Sequence, residues 1–341
     1  MSIKFIIMIM IENKKASILL ILKVLEEYSD EEHYLTHQQI IDKVYQIYDI
    51  QLERKSVAFA IELLQELEYD INKGPHGGFA LLSRNLDITE IQFIVDSIFS
   101  SKSLTGKQAK QIADKISGEL SIYQRKDYSY LNKTTELNRS TNKDLFYNID
   151  VIHEAMKRGK RVGFQYLTYD RSGNLMARKD GFQYIVSPYY LVNNFGRYYL
   201  ICNYREKYHA IQTFRIDYMM NIEIKEDWPI KRIESLEGMK DKRFSLSEYL
   251  NDHIYLFGGD VITAELEIEE EWAIQYVKDW FGDKAKLRIK GEKIVATVKC
   301  NETALIYWIM QYGEFMKVLT PSSLIDKVLE AAHRTIDKYG K

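Results

Sequence analysis

Apolar side chains recur every three or four residues through the first part of the chain, a spacing typical of amphipathic helices. The spacing predicts helices over residues 14–28, 36–48 and 53–67, and Thr36 with Gln39 has the spacing of a capping box at the start of the second helix. Two short strands are predicted over residues 69–73 and 79–82, because a turn rich in glycine and proline separates them. Three helices followed by a tight hairpin are typical of a winged helix-turn-helix.

The next part of the chain, residues 85–143, is predicted to be a helical connector. Asp87 with Glu90, and Thr105 with Gln108, have the spacing of capping boxes, in which side chains satisfy the free backbone amides at a helix start. The stretch that follows the second of these helices is polar and has few apolar positions. We expect that stretch to be a partly ordered linker.

The second half of the chain changes from a helical to a strand-rich pattern. Residues 144–236 predict one helix and then five or so short antiparallel strands, which is typical of a small SH3-like β-barrel. Residues 240–341 predict the order βαββαβ followed by a long last helix, which is typical of a ferredoxin-like domain. The expected fold class is therefore α+β and multidomain, with a winged helix-turn-helix, a small barrel and a ferredoxin-like extension.

Length and composition agree with several folded domains. The chain has 341 residues, 46% hydrophobic residues and a formal charge of −2, so no bulk field indicates a membrane or nucleic-acid partner. Cys202 and Cys300 lack the spacing of a metal site or of a disulfide framework. The apolar N-terminal stretch is too short to span a bilayer, and we favour an upstream start codon or an extension of the first helix over a signal peptide or membrane anchor. We expect a cytoplasmic protein without a membrane partner.

Catalytic motifs are not evident in the sequence. It contains no phosphate-binding Gly-x-x-x-x-Gly-Lys loop, no Gly-x-Ser-x-Gly nucleophile elbow and no paired cysteines for a metal. His33 and His37 have the spacing of helical metal ligands, but they flank a helix start at Thr36 and are not expected to share a face. We therefore expect a protein that is not an enzyme and that uses no cofactor or metal.

The winged helix-turn-helix predicted over residues 12–84 suggests binding of double-stranded DNA, since the third helix of such a domain enters the major groove. The polar face of that helix and the following wing carry the candidate contacts. The candidate DNA-binding residues are Arg54, Lys55, Ser56, Phe59, Lys73 and His76. Residues 13–85 carry eight basic and twelve acidic residues, a formal charge of −4, so we expect binding through a local patch, tightened by dimerisation.

The predicted barrel carries a recognisable pattern. Two strands around a turn, with Tyr-Tyr-Leu at residues 198–200, precede the sequence Phe-Arg-Ile-Asp-Tyr at residues 214–218. This pattern resembles the WYL domain, the sensory module of many bacterial transcription regulators. The segment after residue 240 is similar to the extension that commonly follows WYL domains, with Trp-Phe-Gly at residues 280–282 and Leu-Thr-Pro-Ser at residues 319–322 among the matching motifs.

The resemblance implies that residues 144–236 bind a nucleotide-like small molecule or a single-stranded nucleic acid. It implies that residues 240–341 take part in dimerisation or shape the ligand site. Basic side chains among aromatic rings suit such ligands, because the charges bind phosphate and the rings stack on bases. The candidate ligand-binding residues are Tyr184, Tyr190, Tyr198, Tyr199, Arg205, Arg215 and Asp217. Alternation along the last strand is expected to point Tyr218 to the core and to leave Arg215 and Asp217 on the opposite face.

Two functions fit these features. The first is a dimeric, ligand-responsive bacterial transcription regulator that binds operator DNA through the winged helix and senses its ligand through the barrel. The second is an accessory protein whose barrel binds single-stranded nucleic acid and whose N-terminal domain mainly makes protein contacts. The acidic balance of that domain and an exposed Phe59 favour the second function. Gln212 and Tyr218 stand where the family pattern commonly has arginines, which favours a ligand with less negative charge.

Overall fold

The computed structural model describes residues 17–127, 140–204, 211–236 and 244–340, and the chain divides into two compact units after Thr141. Each unit has hydrophobic core clusters of its own. Within the described ranges, no helix combines the length and the hydropathy that crossing a membrane requires. The predicted start of the first helix lies outside these ranges.

The N-terminal unit begins with helices and a β-hairpin in the order that the sequence predicts. These elements are α1 (Ser17–Tyr28), α2 (His37–Tyr48), α3 (Arg54–Glu66), β1 (Ile71–Lys73) and β2 (Phe79–Leu81). The side chains of Thr36 and Gln39 form the predicted capping box at the start of α2. Apolar side chains from all of these elements pack into one core, around Leu25, Ile40 and Ile61.

Further helices complete the described part of this unit: α4 (Ile88–Ser100), α5 (Gly106–Ser117) and α6 (Ile122–Asp127). The capping boxes at the starts of α4 and α5 are present. Helix α6 is an ordered part of the stretch that the sequence predicts to be a partly ordered linker. The Ser121 hydroxyl accepts a hydrogen bond from the Gln124 amide and donates one of 2.5 Å to the buried Asp30 carboxylate. A tertiary contact thus anchors a short polar segment that has no helical periodicity.

The C-terminal unit opens with α7 (Leu145–Lys157), which has the predicted bounds. An antiparallel sheet follows, and its described strands are β3 (Lys160–Tyr169), β4 (Leu175–Ala177), β5 (Gln183–Asn194), β6 (Arg197–Tyr204), β7 (Ile211–Arg215) and β8 (Met219–Pro229). Their order is β4-β3-β5-β6-β7, and β8 pairs with β3. The strands alternate in direction as predicted, but β5 reaches 12 residues, so they are not uniformly short.

Strand register decides which side chains fill the core of this sheet. Leu200 pairs with Phe214 between β6 and β7, and Phe164 pairs with Tyr184 between β3 and β5. The rings of Phe164 and Phe214 meet in an aromatic core with their centroids 5.3 Å apart. The alternation along β7 ends sooner than predicted, because the chain turns into a 3-10 segment at Ile216–Tyr218.

The rest of the C-terminal unit begins with a short helix that the sequence does not predict, and then has the predicted element order. The elements are α8 (Leu246–Asp252), β9 (Val261–Ile268), α9 (Ile274–Phe281), β10 (Lys286–Lys290), β11 (Lys293–Asn301), α10 (Glu302–Tyr312), β12 (Met316–Thr320) and α11 (Ser322–Tyr339). The strands β9 to β12 form an antiparallel sheet in the order β10-β11-β9-β12. Helices α9 and α10 pack on one face of this sheet, where the buried Trp308 contacts Phe281.

Candidate nucleic-acid and ligand sites

The α3 helix has one apolar and one polar face, as its sequence predicts. Val57, Ile61 and Leu64 pack into the core and are almost fully buried. Arg54 and Lys55, at the helix start, are exposed. Because the first amides of a helix lack intrahelical partners and carry partial positive charge, these two side chains extend a positive helix end.

The hairpin after α3 presents two further candidate residues to solvent. Lys73 ends β1, and His76 lies in the turn with a left-handed backbone (φ 64°). The turn requires a glycine at Gly74, since a Cβ atom there would lie 2.3 Å from the ring of Tyr34. The glycine-rich sequence of the turn is therefore explained by a close approach to the chain before α2.

Electrostatic interactions connect the helix start with the hairpin. Burial lowers the pKa of His37, and the positive charges of Arg54 and Lys73 lower it further. Charges in salt solution act over distances of about 10 Å. The start of α2, the start of α3 and the end of β1 therefore form one positive region, although the surrounding sequence is acidic.

An apolar groove lies beside this positive region. The Phe59 side chain is 65% exposed, and with Ile18 and Leu63 it lines a groove of about 430 Å³. Lys55 and Ser56 line the same groove. Three of the predicted DNA-binding residues thus border a surface that also suits an apolar partner, and their roles in DNA binding stay predictions.

In the C-terminal unit, Arg215 and Asp217 form an ion pair at the end of β7. The Arg215 Nε donates to the Asp217 Oδ1 over 3.1 Å, and its Nη2 donates to Oδ2 over 2.6 Å. Asp217 is 0% exposed, which corrects the expectation of a strand face that carries both residues side by side. The 3-10 segment is the reason, because it ends the alternation after Arg215 and takes Asp217 into the interior.

The ion pair holds the guanidinium in its charged form and in one orientation. Burial by itself lowers the pKa of Arg215, but the hydrogen bonds and the negative charge of Asp217 outweigh it and raise that pKa. Two parallel N–H···O bonds also fix the plane of the guanidinium. They use only part of the arginine's N–H groups, so the others can donate to an anionic ligand.

Aromatic rings frame the Arg215 guanidinium. Its Cζ atom lies 4.0 Å from the ring centroid of Tyr218, a cation–π contact. Tyr218 is half-buried against Arg215, so the prediction that it points into the core is wrong. The Arg215 amide donates to the Tyr166 hydroxyl over 3.1 Å, and burial raises the pKa of Tyr166 to about 12. A hydrogen bond with Tyr218 raises the pKa of Tyr169, whose ring is more than half exposed.

Two further candidate residues lie on the strand face that Arg215 shares. Tyr199 pairs with Arg215 between β6 and β7, so both side chains point to the same side of the sheet. Tyr190 stacks on Phe244 with the ring centroids 5.3 Å apart, and both Tyr190 and Tyr199 pack against the buried cluster of Val192, Ile201 and Leu256. This face of the sheet therefore borders the segment that leads into the C-terminal sheet.

The remaining candidate ligand residues lie elsewhere. Tyr184 is 4% exposed, and its ring packs 5.8 Å from that of Phe164 in the aromatic core. Tyr198 is half-buried near the tip of the β5–β6 hairpin, where it pairs with Asn193. Arg205 lies outside the described residues. The ligand roles of all three stay predictions.

The sequence alone did not identify some residues of the Arg215 site and of the positive region in the N-terminal unit. Tyr166 contacts Arg215 and Tyr169 contacts Tyr218 because β3 pairs with β8, so that Tyr166 lies opposite Met219, the residue after the 3-10 segment. Their spacing within β3 carries no sign of that distant partner. His37 joins Arg54 and Lys73 only through the packing of α2 on the hairpin, which is also a long-range contact.

The two cysteines, which lie outside these sites, are buried. Burial raises the pKa of Cys300 to about 12 and also raises the pKa of Cys202, so the reactive thiolate of either residue is disfavoured at neutral pH. Among the residues that the structure describes, no three His, Cys, Asp or Glu side chains come together as metal ligands. The positive region of the N-terminal unit and the Arg215 surroundings remain the candidate functional sites.

Comparisons with known proteins identify parts of the C-terminal unit. A scan against protein-family models matches the WYL domain over residues 147–224 and the WCX domain over residues 260–336. The chain therefore contains a WYL domain and a WCX domain. The resemblance seen in the sequence is thereby confirmed. Arg215, Asp217 and Tyr218 lie inside the WYL match, and the WCX match lies within the predicted C-terminal extension, residues 240–341.

Two solved structures show a distant similarity to this WYL-domain protein. Proteasome accessory factor B/C (PafBC) of Arthrobacter aurescens is 15% identical with a TM-score of 0.30, and the alignment covers 97% of this chain and 49% of that one. A CRISPR Cas-related protein is 16% identical with a TM-score of 0.38, over 95% of this chain and 84% of that one. The chain thus spans about half the length of the PafBC chain. A comparison with curated proteins finds no match.

Proposed function

We propose that this WYL-domain protein is a transcription regulator whose binding to operator DNA responds to a ligand at the WYL domain. The observation that carries the proposal is the Arg215 site: an arginine held by a buried carboxylate, framed by tyrosines, inside a domain of this family. A fixed positive charge beside aromatic rings suits a nucleotide-like molecule or a single-stranded nucleic acid.

The N-terminal unit supplies the proposed DNA contacts. Residues 17–81 have the element order of a winged helix-turn-helix, in which α3 enters the major groove and the β1–β2 hairpin is the wing. Arg54 and Lys55 then contact phosphates or guanines near the start of α3, and Lys73 contacts the backbone. Since the surrounding sequence is acidic, we expect this local region to attract DNA, and binding to be sensitive to salt.

The link between the two sites is proposed to act through a homodimer. Two copies place two α3 helices on an operator with two-fold symmetry. A ligand can change DNA binding only if it binds one arrangement of the dimer more tightly than another. We expect that arrangement to depend on the face around Arg215 and Tyr199, because this face borders the segment that leads to the WCX domain.

DNA binding is tested by fluorescence anisotropy of the full chain with the DNA upstream of its own gene, across a salt series. Changing Arg54 and Lys55 together to Glu should weaken specific duplex binding at least about tenfold, because two phosphate-facing charges are reversed. The matched control reverses Lys107, an exposed lysine on α5, and should bind as the wild type does. Equal binding by the wild type and the double variant would contradict the assigned DNA surface.

Ligand sensing needs a variant that keeps Asp217 paired. Arg215→Ala would leave a fully buried carboxylate without its partner and would confuse loss of folding with loss of sensing. Arg215→Lys keeps the charge but loses the bidentate geometry, and Tyr169→Ala removes an exposed ring. Both should reduce the effect of a single-stranded DNA oligonucleotide on operator binding, whereas Arg171→Lys in an exposed turn should not.

The accessory-protein function is the second candidate, and the apolar groove beside Phe59 favours it. An exposed aromatic ring and a groove on the polar side of α3 suit a protein partner as well as DNA. In that case the Arg54/Lys55 double variant binds nucleic acid unchanged, and single strands compete better than the upstream duplex. Phe59→Ala would then weaken the protein contact and leave nucleic-acid binding intact.

A further inference from the structure

The chain enters the C-terminal unit at Asn142, and the side chain of this residue binds the 3-10 segment that follows Arg215. Its Nδ2 donates hydrogen bonds to the carbonyl oxygens of Asp217 and Met219, each over 3.0 Å. These two residues flank Tyr218 in the sequence. One asparagine therefore holds the backbone on both sides of the ring that contacts the Arg215 guanidinium.

The orientation of the Asn142 amide group is fixed by its partners. A backbone carbonyl only accepts hydrogen bonds and a backbone N–H only donates one. The Asn142 Oδ1 accepts from the Asp144 amide over 2.8 Å, just before α7, while Nδ2 faces the two carbonyls. A flipped amide would lose all three hydrogen bonds. Asn142 therefore connects the start of α7 to the 3-10 segment in one defined geometry.

A second asparagine supports the same segment from the interior. Asn148 on α7 is 1% exposed, and its Nδ2 donates to the Ile216 carbonyl over 3.4 Å and to the Met219 carbonyl over 3.0 Å. The 3-10 segment in turn positions both the carboxylate and the ring that contact the Arg215 guanidinium. The geometry of the Arg215 site thus depends on side-chain amides from the chain that precedes β3.

The junction between the two units is very short. Within the N-terminal unit, the Ser140 amide donates to the Lys102 carbonyl over 2.9 Å. Asn142 is bound within the C-terminal unit, and the exposed Thr141 is the residue between these two positions. Consecutive Cα atoms are about 3.8 Å apart, so the chain from Ser140 to Asn142 spans at most about 7 Å. A shift of Asn142 therefore reaches a residue bound within the N-terminal unit with little slack.

We infer that Asn142 is a positioning residue of the Arg215 site and that it passes ligand binding on to the N-terminal unit. An anionic ligand competes with the carboxylate for the N–H groups of Arg215 and packs against the Tyr218 ring. A ligand that prefers one position of the 3-10 segment shifts the segment to that position. Asn142 follows, because it holds the carbonyls of the segment, and the shift is transmitted through Thr141 to Ser140.

This inference rests on the ligand response of the proposed function and names the route by which the response leaves the Arg215 site. The face around Tyr199 concerns how two copies are arranged, whereas Asn142 acts within one copy. A change at Asn142 leaves that face, and the exposed Arg54 and Lys55, in place. The role of Asn142 can therefore be tested separately from ligand contacts and from DNA contacts.

The first experiment measures the ratio of the operator Kd with and without a saturating single-stranded DNA oligonucleotide. For the full-length wild type we expect a change of about 5–150-fold, the usual range of coupling between two sites. Asn142→Asp keeps the size of the side chain and the acceptor for Asp144, but it turns an oxygen toward two carbonyl oxygens. The ratio should fall to near one, while the operator Kd without oligonucleotide stays near the wild-type value.

Two controls accompany this variant. Asn251→Asp makes the same change at an exposed asparagine on α8 and should keep the wild-type ratio. Urea unfolding of each variant separates a loss of folding from a loss of coupling, since a merely structural residue would lower stability without selectively removing the response to the oligonucleotide.

A second variant keeps every hydrogen bond of Asn142 and tests the junction itself. The sequence Gly-Ser-Gly-Ser inserted between Thr141 and Asn142 forms a flexible link, which does not transmit a small shift. The ratio should again fall to near one, although both units keep their own sequences. The same insertion between Gly291 and Glu292, in the exposed turn between β10 and β11, should leave the ratio unchanged.

Hydrogen exchange tests the same connection without any ligand. Arg215→Lys weakens the contacts that hold the 3-10 segment, so the Ser140 amide should exchange several times faster than in the wild type. In a chain that already carries Asn142→Asp, the change at Arg215 should have no further effect on the Ser140 amide.

The inference is overturned if the folded Asn142→Asp variant or the junction insertion keeps the wild-type ratio, or if exchange at Ser140 ignores Arg215→Lys. Failure of the proposed function has a different result. A wild type whose operator binding ignores the oligonucleotide contradicts the ligand response, while altered exchange at Ser140 still supports the connection through Asn142. A responsive wild type whose response survives both changes at the junction supports the regulator and contradicts the role of Asn142.

Discussion

The two candidate sites are built in opposite ways. On α3, Arg54 and Lys55 are exposed side chains at a helix start, and what fixes their place is the burial of the other face of the helix. In the WYL domain, Arg215 is held by two hydrogen bonds to a carboxylate that is itself buried, and a tyrosine ring lies 4.0 Å away. The candidate DNA contacts on α3 are therefore exposed side chains on the surface of a folded helix. The Arg215 site is formed by buried groups that also contribute to the packing of the domain.

This difference predicts where mutations separate function from folding. Exposed charges contribute little to stability, so changes on α3 should act on binding alone. A buried ion pair is different, because removal of one partner leaves a charge in a medium that solvates it poorly. The Arg215 site should therefore tolerate few substitutions, and loss of sensing there should often coincide with loss of stability.

The largest expected effect is that of Asp217→Ala. It leaves the half-buried Arg215 guanidinium without the carboxylate that holds it, and we expect the C-terminal unit to lose about 3–5 kcal/mol of unfolding free energy. The measurement is urea unfolding followed by circular dichroism. The matched control is Glu223→Ala, which breaks an ion pair with Lys225 in which the carboxylate is largely exposed. If both variants unfold at the wild-type urea concentration, the ion pair is not part of the packing.

A smaller but still large effect separates the two faces of α3. Ile61→Ala removes a side chain from the core of the N-terminal unit and should cost about 2–5 kcal/mol of unfolding free energy. Phe59→Ala, two positions away on the exposed face, should leave the unfolding free energy nearly unchanged. It should weaken the binding of DNA or of a protein partner instead. Thermal unfolding of both variants measures the two losses of stability. A large loss in Phe59→Ala would mean that the groove beside it is a packed surface.

The same contrast explains what could be predicted from the sequence. The apolar face of α3 and the capping box at Thr36 depend on residues within a few positions of each other, and both were predicted. The position of Asp217 was not, because the alternation rule holds only while the strand continues, and the chain leaves β7 after Arg215. The tyrosines of β3 that frame Arg215 depend on pairing with β8, some fifty residues later. The residues around a strand do not show which distant strand it will pair with.

Helix α6 shows the same limit in the N-terminal unit. The sequence after α5 is polar and without helical periodicity, and it predicts a partly ordered linker with no helix in it. The buried Asp30, just after α1, accepts hydrogen bonds from Ser121 and His33, and the ring of His33 stacks on Tyr123 with centroids 3.7 Å apart. These contacts join segments about ninety residues apart. They order a stretch that its own composition would leave irregular.

The Asp30 contacts give a third prediction, of moderate size. Burial raises the pKa of Asp30, but the hydrogen bonds from Ser121 and His33 outweigh it, so the folded-state pKa lies below its ordinary value. The charged carboxylate therefore stabilises the fold above the ordinary Asp pKa, and this contribution is lost as the pH falls through the lowered value. Ser121→Ala should cost about 1–2 kcal/mol near neutral pH.

The pH dependence provides the control for this variant. Without the Ser121 hydroxyl, the pKa of Asp30 should rise, so the N-terminal unit should lose stability at a higher pH than in the wild type. Melting temperatures between pH 3 and pH 7 measure the shift. Ser100→Ala removes an exposed hydrogen bond of a serine hydroxyl within α4. It should leave the fall of the melting temperature at acid pH unchanged. Parallel curves for wild type and Ser121→Ala would contradict the role of this hydrogen bond.

The smallest expected effect concerns a single exposed charge, and it tests whether Lys73 belongs to the proposed DNA-binding surface. Lys73→Ala should leave the unfolding free energy unchanged, because the side chain is exposed at the end of β1. It should reduce the slope of log K against log salt for duplex DNA by about 0.9, the value for one phosphate contact. Affinity should fall alike for specific and non-specific duplexes, since a phosphate contact carries no sequence information. Lys107→Ala on α5 should keep the wild-type slope. A loss confined to the specific duplex would place Lys73 against a base edge, and an unchanged slope would remove the hairpin from the DNA surface and leave α3 alone to bind.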